Sequence, residues 1–170
     1  MMDERELLRR AKQDKKALEE LVKRYAKRLY FATLALVGDE NDAWDISQEA
    51  FVRVLRNLKR IDENRGFYPY LYRTMRNLVL KRGKTKEGFA ELEVSSPEEE
   101  LERKEKIEEV RRVLSSLPPE AREIIYLRHF EGLPYRKIAE ILGIPEGTVM
   151  SRLHHARKKL LKLLEENETS

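Results

Sequence analysis

The sequence predicts an all-α protein of two small helical domains joined by a flexible linker, the C-terminal domain carrying a helix-turn-helix. Three observations predict it. Apolar residues recur at three- and four-residue steps along almost the whole chain. A stretch near the middle, containing Gly, Ser, Pro and mixed charge, breaks that pattern. Ala139, Gly143 and Val149 are spaced as two helices crossing at a sharp turn require. At 170 residues the chain can bury one ordinary core or two small ones, and its 41% hydrophobic content is too apolar for a disordered chain.

Each element follows in order. Leu18, Leu21, Val22, Tyr25, Leu29, Ala32 and Leu36 share one face of a long helix, and Gly38-Asp39 breaks it. A second helix is expected from near Asp42, with Ala43, Ile46, Ala50, Phe51, Val54, Leu55 and Leu58 as its apolar stripe. Residues 61–66 read as a loop. A third helix follows around Pro69, a residue tolerated in a first turn, and carries Leu71, Tyr72, Met75, Leu78 and Val79 inward. Domain one is therefore placed at 1–83, the linker at 84–97 and domain two at 98–170. Domain two opens on a helix reaching Leu117, with Leu101, Ile107, Val110, Leu114 and Leu117 inward. Pro118-Pro119 restarts the chain in a helix to about His129, and Gly132 and Pro134 set off the final pair.

Charge is unevenly placed. The net charge is only +4, but residues 73–86 hold six Lys or Arg and no carboxylate, 91–110 hold nine Glu against three basic residues, and 151–164 are basic again. Two cationic surfaces flanking an acidic connector suit nucleic-acid binding better than the total does. With no cysteine, disulfides and Cys-based metal sites are excluded, as suits a reducing compartment. The uncharged stretch 29–38 is about half of what crosses a bilayer, and the first sixteen residues alternate charge without an apolar secretory core. A soluble cytoplasmic protein without membrane insertion is expected.

In 135–164, YRKIAEILGIPEGTVMSRLHHARKKLLKLL, Ala139 is small where helices cross, Gly143 suits a turn with positive φ, and Val149 packs the second helix back. Ile138, Leu142, Ile144 and Leu153 supply the shared core. Glu146, Thr148, Met150, Ser151, Arg152 and His155 are left on the part of the second helix that enters a major groove in this motif. Arg157, Lys158, Lys159 and Lys162 extend the charge toward phosphates. A three-helix packing module with a solvated basic face is the plainer alternative, and the joint spacing favours DNA.

The chain resembles the extracytoplasmic-function (ECF) sigma factors of bacterial RNA polymerase over nearly its whole length. LVKRYAKRLYFATLALVGDENDAWDISQEAFVRVLRNL is similar to the family's core-polymerase-binding region, FYPYLYRTMRNLVLKR to its promoter-melting region, and LPPEAREIIYLRHFEGLPYRKIAEILGIPEGTVMSRLHHARKKL to its −35-binding region. The resemblance implies that Asp42, Asp45, Gln48 and Glu49 dock on a coiled coil of the polymerase's largest subunit, where carboxylates suit a basic partner. It implies that Ile61, Asn64, Arg65, Phe67, Tyr70, Arg73, Arg76, Asn77 and Lys81 meet the −10 element, whose non-template strand is captured unpaired. Phe67, Tyr68, Tyr70 and Tyr72 interleaved with Arg73, Arg76 and Lys81 can stack on bases while holding phosphates, with at least one tyrosine kept in the core. For the −35 duplex it implies Glu146, Thr148, Met150, Ser151, Arg152, His155, Arg157 and Lys158. The implied partners are core RNA polymerase, promoter DNA and, left open, an anti-sigma factor. No cofactor or metal is implied. The chain departs from the family at Tyr70, where Trp is usual, and at Met150, where Lys or Arg is frequent, so the preferred promoter sequence is not legible.

Two other classes account for less of the sequence. A stand-alone helix-turn-helix regulator accounts for 135–164 but not for the aromatic and basic stretch 67–86. An enzyme has little support: there is no Gly-rich phosphate loop and no HExxH, and His154 and His155, adjacent on a helix, point about 100° apart, which opposes joint ligation of one ion.

Overall fold

A computed structural model describes residues 2–82 and 114–169. The expected linker, and the expected inward residues Leu101, Ile107 and Val110, lie outside the described residues.

Helix α1 (Glu4–Ala11) was not legible in the alternating charges of the N-terminus, although Leu7, Leu8 and Ala11 are all buried. Helix α2 (Lys15–Val37) starts where the Asp14 carboxylate accepts from the Lys16 N–H and stops at Gly38, whose φ of 72° is the left-handed cap that the sequence break implies. Helix α3 (Glu40–Arg56) begins two residues before Asp42 because Asp39 caps it, accepting from the Asp42 N–H at 2.9 Å. A 3₁₀ turn (Leu58–Arg60) leads to the loop 61–66. Helix α4 (Phe67–Arg82) also starts two residues early, because the Glu4 carboxylate of α1 accepts from the Phe67 N–H at 3.0 Å and satisfies a first-turn donor from outside the helix.

In the second half, α5 (Pro119–Ile125) runs into a wide π turn (Tyr126–Phe130), closed by the Glu131 N–H on the Tyr126 carbonyl at 3.1 Å. Then come α6 (Tyr135–Leu142) and α7 (Glu146–Glu168), with α5 and α6 both packed on α7. The predicted apolar stripes hold: Leu21, Tyr25, Leu29, Ala32, Ile46, Val54, Leu71, Tyr72, Met75, Leu114 and Leu117 are all buried. The two halves are not separate bodies. Helix α4 packs against α6, α2 packs against α5, and the buried residues of both halves form one continuous cluster.

Candidate nucleic-acid interface

The turn between α6 and α7 is built as its spacing implies. Gly143 takes φ 65°, and the N–H groups of Gly143 and Ile144 both reach the Ala139 carbonyl, closing the helix end. Ile138, Val149 and Leu153 are buried, whereas Ala139, Leu142 and Ile144 are half-buried; Ile141, absent from the sequence reading, takes a core place. On the outer face of α7, Glu146, Met150, Ser151, His155 and Lys158 are exposed, and Thr148, Arg152 and Arg157 are half-buried. The predicted −35 residues are thus all at least partly accessible, spread around the side of α7 that lies away from Val149, Leu153 and Ala156. Arg157 reaches back to the His129 ring at 3.4 Å, and desolvation, followed by the neighbouring Arg157 and Arg128 charges, holds that imidazole below its ordinary pKa.

The predicted −10 residues divide. Asn64, Arg65, Tyr70, Asn77 and Lys81 are exposed. Ile61 and Phe67 are not: they are 6% and 0% exposed, and the Phe67 ring packs on Tyr25 with centroids 5.5 Å apart. Their assignment to base contact is corrected on this ground, since both side chains anchor the loop and helix start in the core. Tyr68 and Tyr72 are also buried, leaving Tyr70 as the tyrosine that faces outward. A cleft of about 760 Å³ brings together Asn64, Arg65, Tyr70 and Arg73 with Arg136 and Lys137 of α6.

Arg73 and Arg76 are engaged by the second half of the chain. Arg73 donates from Nε to the Ile141 carbonyl at 3.1 Å and from Nη2 to the Glu140 carbonyl, placing its charge on the negative end of α6. The Arg76 Nε–H is shared between the two Glu123 carboxylate oxygens at 2.9 and 3.1 Å, and the Tyr72 hydroxyl donates to the same carboxylate at 2.8 Å. One helix turn earlier the pattern repeats: Tyr68 donates to Glu131 at 2.8 Å, and Arg28, stacked 3.5 Å over the Tyr68 ring, binds that carboxylate at 3.0 Å. The Glu123 and Glu131 side chains are only 5% and 6% exposed. Burial raises the Glu123 pKa even against Arg76, and pushes the Tyr72 hydroxyl well above its usual range.

A third surface lies on α3. Asp45 and Gln48 are exposed, while Asp42 and Glu49 are half-buried. Glu49 receives Arg53 at 2.8 Å and Arg82 at 2.9 Å, and these bonds lower its pKa. Trp44, 59% exposed, and Val52, 46% exposed, extend this face and were missed. The signal was available, because both lie off the stripe of Ala43, Ile46, Ala50 and Val54.

Comparison with known proteins gives two family matches: Sigma-70 region 2 over residues 16–87 and Sigma-70, region 4 over 107–160. The chain is similar to the RNA polymerase sigma-H factor of Pseudomonas aeruginosa, 33% identical over 89% of this chain and 88% of that one. It is similar to the ECF RNA polymerase sigma factor SigW of Bacillus subtilis, 30% identical over 96% and 97%. Among solved structures, CnrH in complex with the cytosolic domain of CnrY matches with a TM-score of 0.75 and 25% identity, covering 96% of this chain and 97% of that chain. RpoE of Bartonella quintana, solved with the anti-sigma factor NepR, matches in fold at a TM-score of 0.70 and 20% identity, covering 88% and 98%.

Proposed function

The chain belongs to the ECF sigma factors of the sigma-70 family, which direct promoter-specific transcription initiation, and from that membership we propose how its surfaces divide the work. The face of α3 bearing Asp42, Asp45, Gln48 and Glu49, widened by Trp44 and Val52, docks on core RNA polymerase. Carboxylates beside exposed apolar groups supply both steering and buried area to a basic helical partner. The rim formed by Asn64, Arg65, Tyr70, Arg73, Arg76, Asn77 and Lys81 takes the unpaired non-template strand of the −10 element. Tyr70 is the stacking platform, since it is the tyrosine whose ring solvent reaches. The face of α7 from Glu146 to Lys158 enters the major groove at −35, with Met150 offering apolar contact where a cation would read guanine.

The observation that carries this reading is the joint presence of both sigma regions in one chain. The protein works by assembly rather than catalysis, in the cytoplasm where its polymerase is. Among the described residues no helix is long and apolar enough to cross a membrane. We extend to this chain a protein partner, supported by the capture of CnrH with the cytosolic domain of CnrY. Run-off transcription with core polymerase on a genomic promoter library tests the whole: initiation confined to a promoter subset is expected. Tight, sequence-specific duplex binding by the chain alone, with no selective initiation from polymerase, would overturn it.

A further inference from the structure

The loop 61–66 carries Asn64 and Arg65, the exposed pair assigned above to the −10 strand. Inside it a short turn is fixed: the Asp62 carboxylate accepts from the Asn64 N–H at 2.9 Å, and the Asp62 carbonyl from the Arg65 N–H at 3.1 Å. Such a turn sets its own shape but not where it points. Its two ends are held from the N-terminus of the chain. Lys12, the residue after α1, donates from Nζ to the Ile61 carbonyl at 2.7 Å and to the Glu63 carboxylate at 3.3 Å. Glu4, in the first turn of α1, accepts from the Phe67 N–H at the other end. Glu4 and Lys12 stand about 12 Å apart along one helix axis, so a single rigid element spaces both ends of the loop. That element is itself fixed, because Leu7, Leu8 and Ala11 are buried and α1 packs on α2. The Lys12 side chain is only 17% exposed, drawn out of water toward a main-chain carbonyl, where a merely solubilising lysine extends outward.

We propose that α1 braces the −10 loop: Lys12 and Glu4 are positioning residues that fix its two ends and so hold Asn64 and Arg65 in the arrangement that distinguishes bases of the unpaired strand. The inference rests on the assignment of Asn64 and Arg65 to that strand. The buried Ile61 and Phe67 side chains anchor the loop's ends in the core, and the hydrogen bonds from α1 add what apolar packing lacks, a fixed direction for the backbone between them. A loop ordered before encounter also spares the cost of ordering it on binding. Base contacts need donor and acceptor within a narrow range of distance and angle, whereas attraction to phosphates falls off slowly with distance. Loosening the loop therefore harms the choice of base more than it harms affinity.

K12M keeps the aliphatic stem and removes the donor, and E4M likewise removes the acceptor. Holoenzyme assembled from each full chain and core RNA polymerase is given a random-sequence single-stranded DNA pool, and the bound sequences are compared with those held by core polymerase alone. The parent's strongest base preference should fall about fivefold in both variants, near the lower end of what one base contact supplies. Total binding of the pool, set by phosphates, should stay within about twofold. K12R and E4Q, which retain a donor and an acceptor oxygen, should recover most of the preference, and K16M, which removes a charge from an exposed position nearby, should match the parent. Amide hydrogen exchange at Arg65, whose own acceptor is the Asp62 carbonyl, should quicken in K12M and E4M. Unchanged exchange in both variants overturns the brace. So does a fall in total binding that leaves the base preference intact, which is what a loss of folding stability alone would give. Faster exchange with an unchanged preference, where N64A/R65A lowers it, overturns the step from loop order to base choice while the −10 assignment stands. If N64A/R65A also leaves the preference unchanged, the −10 assignment of the loop fails, and the brace's role in base choice fails with it.

Discussion

Gly143 and Gly147 sit four residues apart on either side of the helix-turn-helix corner, and alanine should act in opposite directions at the two. At Gly143 there is room: an added Cβ would meet nothing closer than the Arg73 guanidinium at 3.8 Å. The cost is therefore backbone alone. A φ of 65° carries a penalty of about 1–2 kcal/mol for an L-residue. The reduced freedom of the unfolded chain returns about 0.4–1 kcal/mol, leaving a net loss of about 1 kcal/mol. Gly147 lies in the first turn of α7 with nothing within 4 Å of an added Cβ. G147A should gain about 0.5–1 kcal/mol, the usual helical cost of glycine. The two variants should differ by about 1.5–2 kcal/mol, some 3–8 °C in Tm at about 2–4 °C per kcal/mol for a chain of this size. Urea titration with an unchanged m-value is the assay. Shifts of the same sign, or a G143A midpoint equal to the parent, would refute the argument from φ.

Charge reversal at Asp45 and Glu49 should weaken core polymerase binding in a titration while the circular dichroism spectrum stays native; unchanged affinity removes α3 as the docking face. Arg73→Ala with Arg76→Ala should slow promoter opening, a defect largely rescued by a template already mismatched across −10. Replacing Arg152 and His155 with Ala should instead weaken −35 duplex recognition, with little rescue; identical responses would dissolve the division between the surfaces. In the buried pair where Ser47 donates to Thr33 and Thr33 donates to the Leu29 carbonyl, S47A should cost about 0.5–1.5 kcal/mol, and T33V, which strands the Ser47 hydroxyl, about 1–3 kcal/mol by urea titration. His129 should titrate below 6.5 by proton NMR, and Arg157→Gln should move it part of the way back. Because the folded state binds fewer protons in that window, this group's contribution to stability rises with pH and is lost as pH falls through the ordinary histidine value. An unshifted imidazole would refute it.

Much of the fold was legible because each long helix buries one stripe at the 3.6-residue period, and α2 and α6 end on left-handed glycines, Gly38 and Gly143. Local pattern could not show contacts supplied from elsewhere in the chain. Helix α1 is two turns long and hides its apolar face between charges. The start of α4 depends on Glu4, distant in sequence. Phe67 looked like a stacking platform because aromatic residues serve cores and bases equally well, and only its neighbour Tyr25 decides between them. Nothing in the sequence singles out Glu123 or Glu131, since nothing local announces that a tyrosine and an arginine from the first half will enclose each one.

The wide turn at Tyr126–Phe130 gives those two carboxylates a common heading. In an unbroken α-helix, residues eight positions apart face about 80° away from each other, so Glu123 and Glu131 could not both meet tyrosines one turn apart on α4. A turn closed over five residues rotates less per residue and takes up that offset. The π turn thus works as a phase adjuster. Deleting one residue inside 126–130 would restore ordinary helical winding and leave Glu131 seven positions after Glu123, within about 20° of the same heading, so both carboxylates should keep their tyrosine and arginine partners.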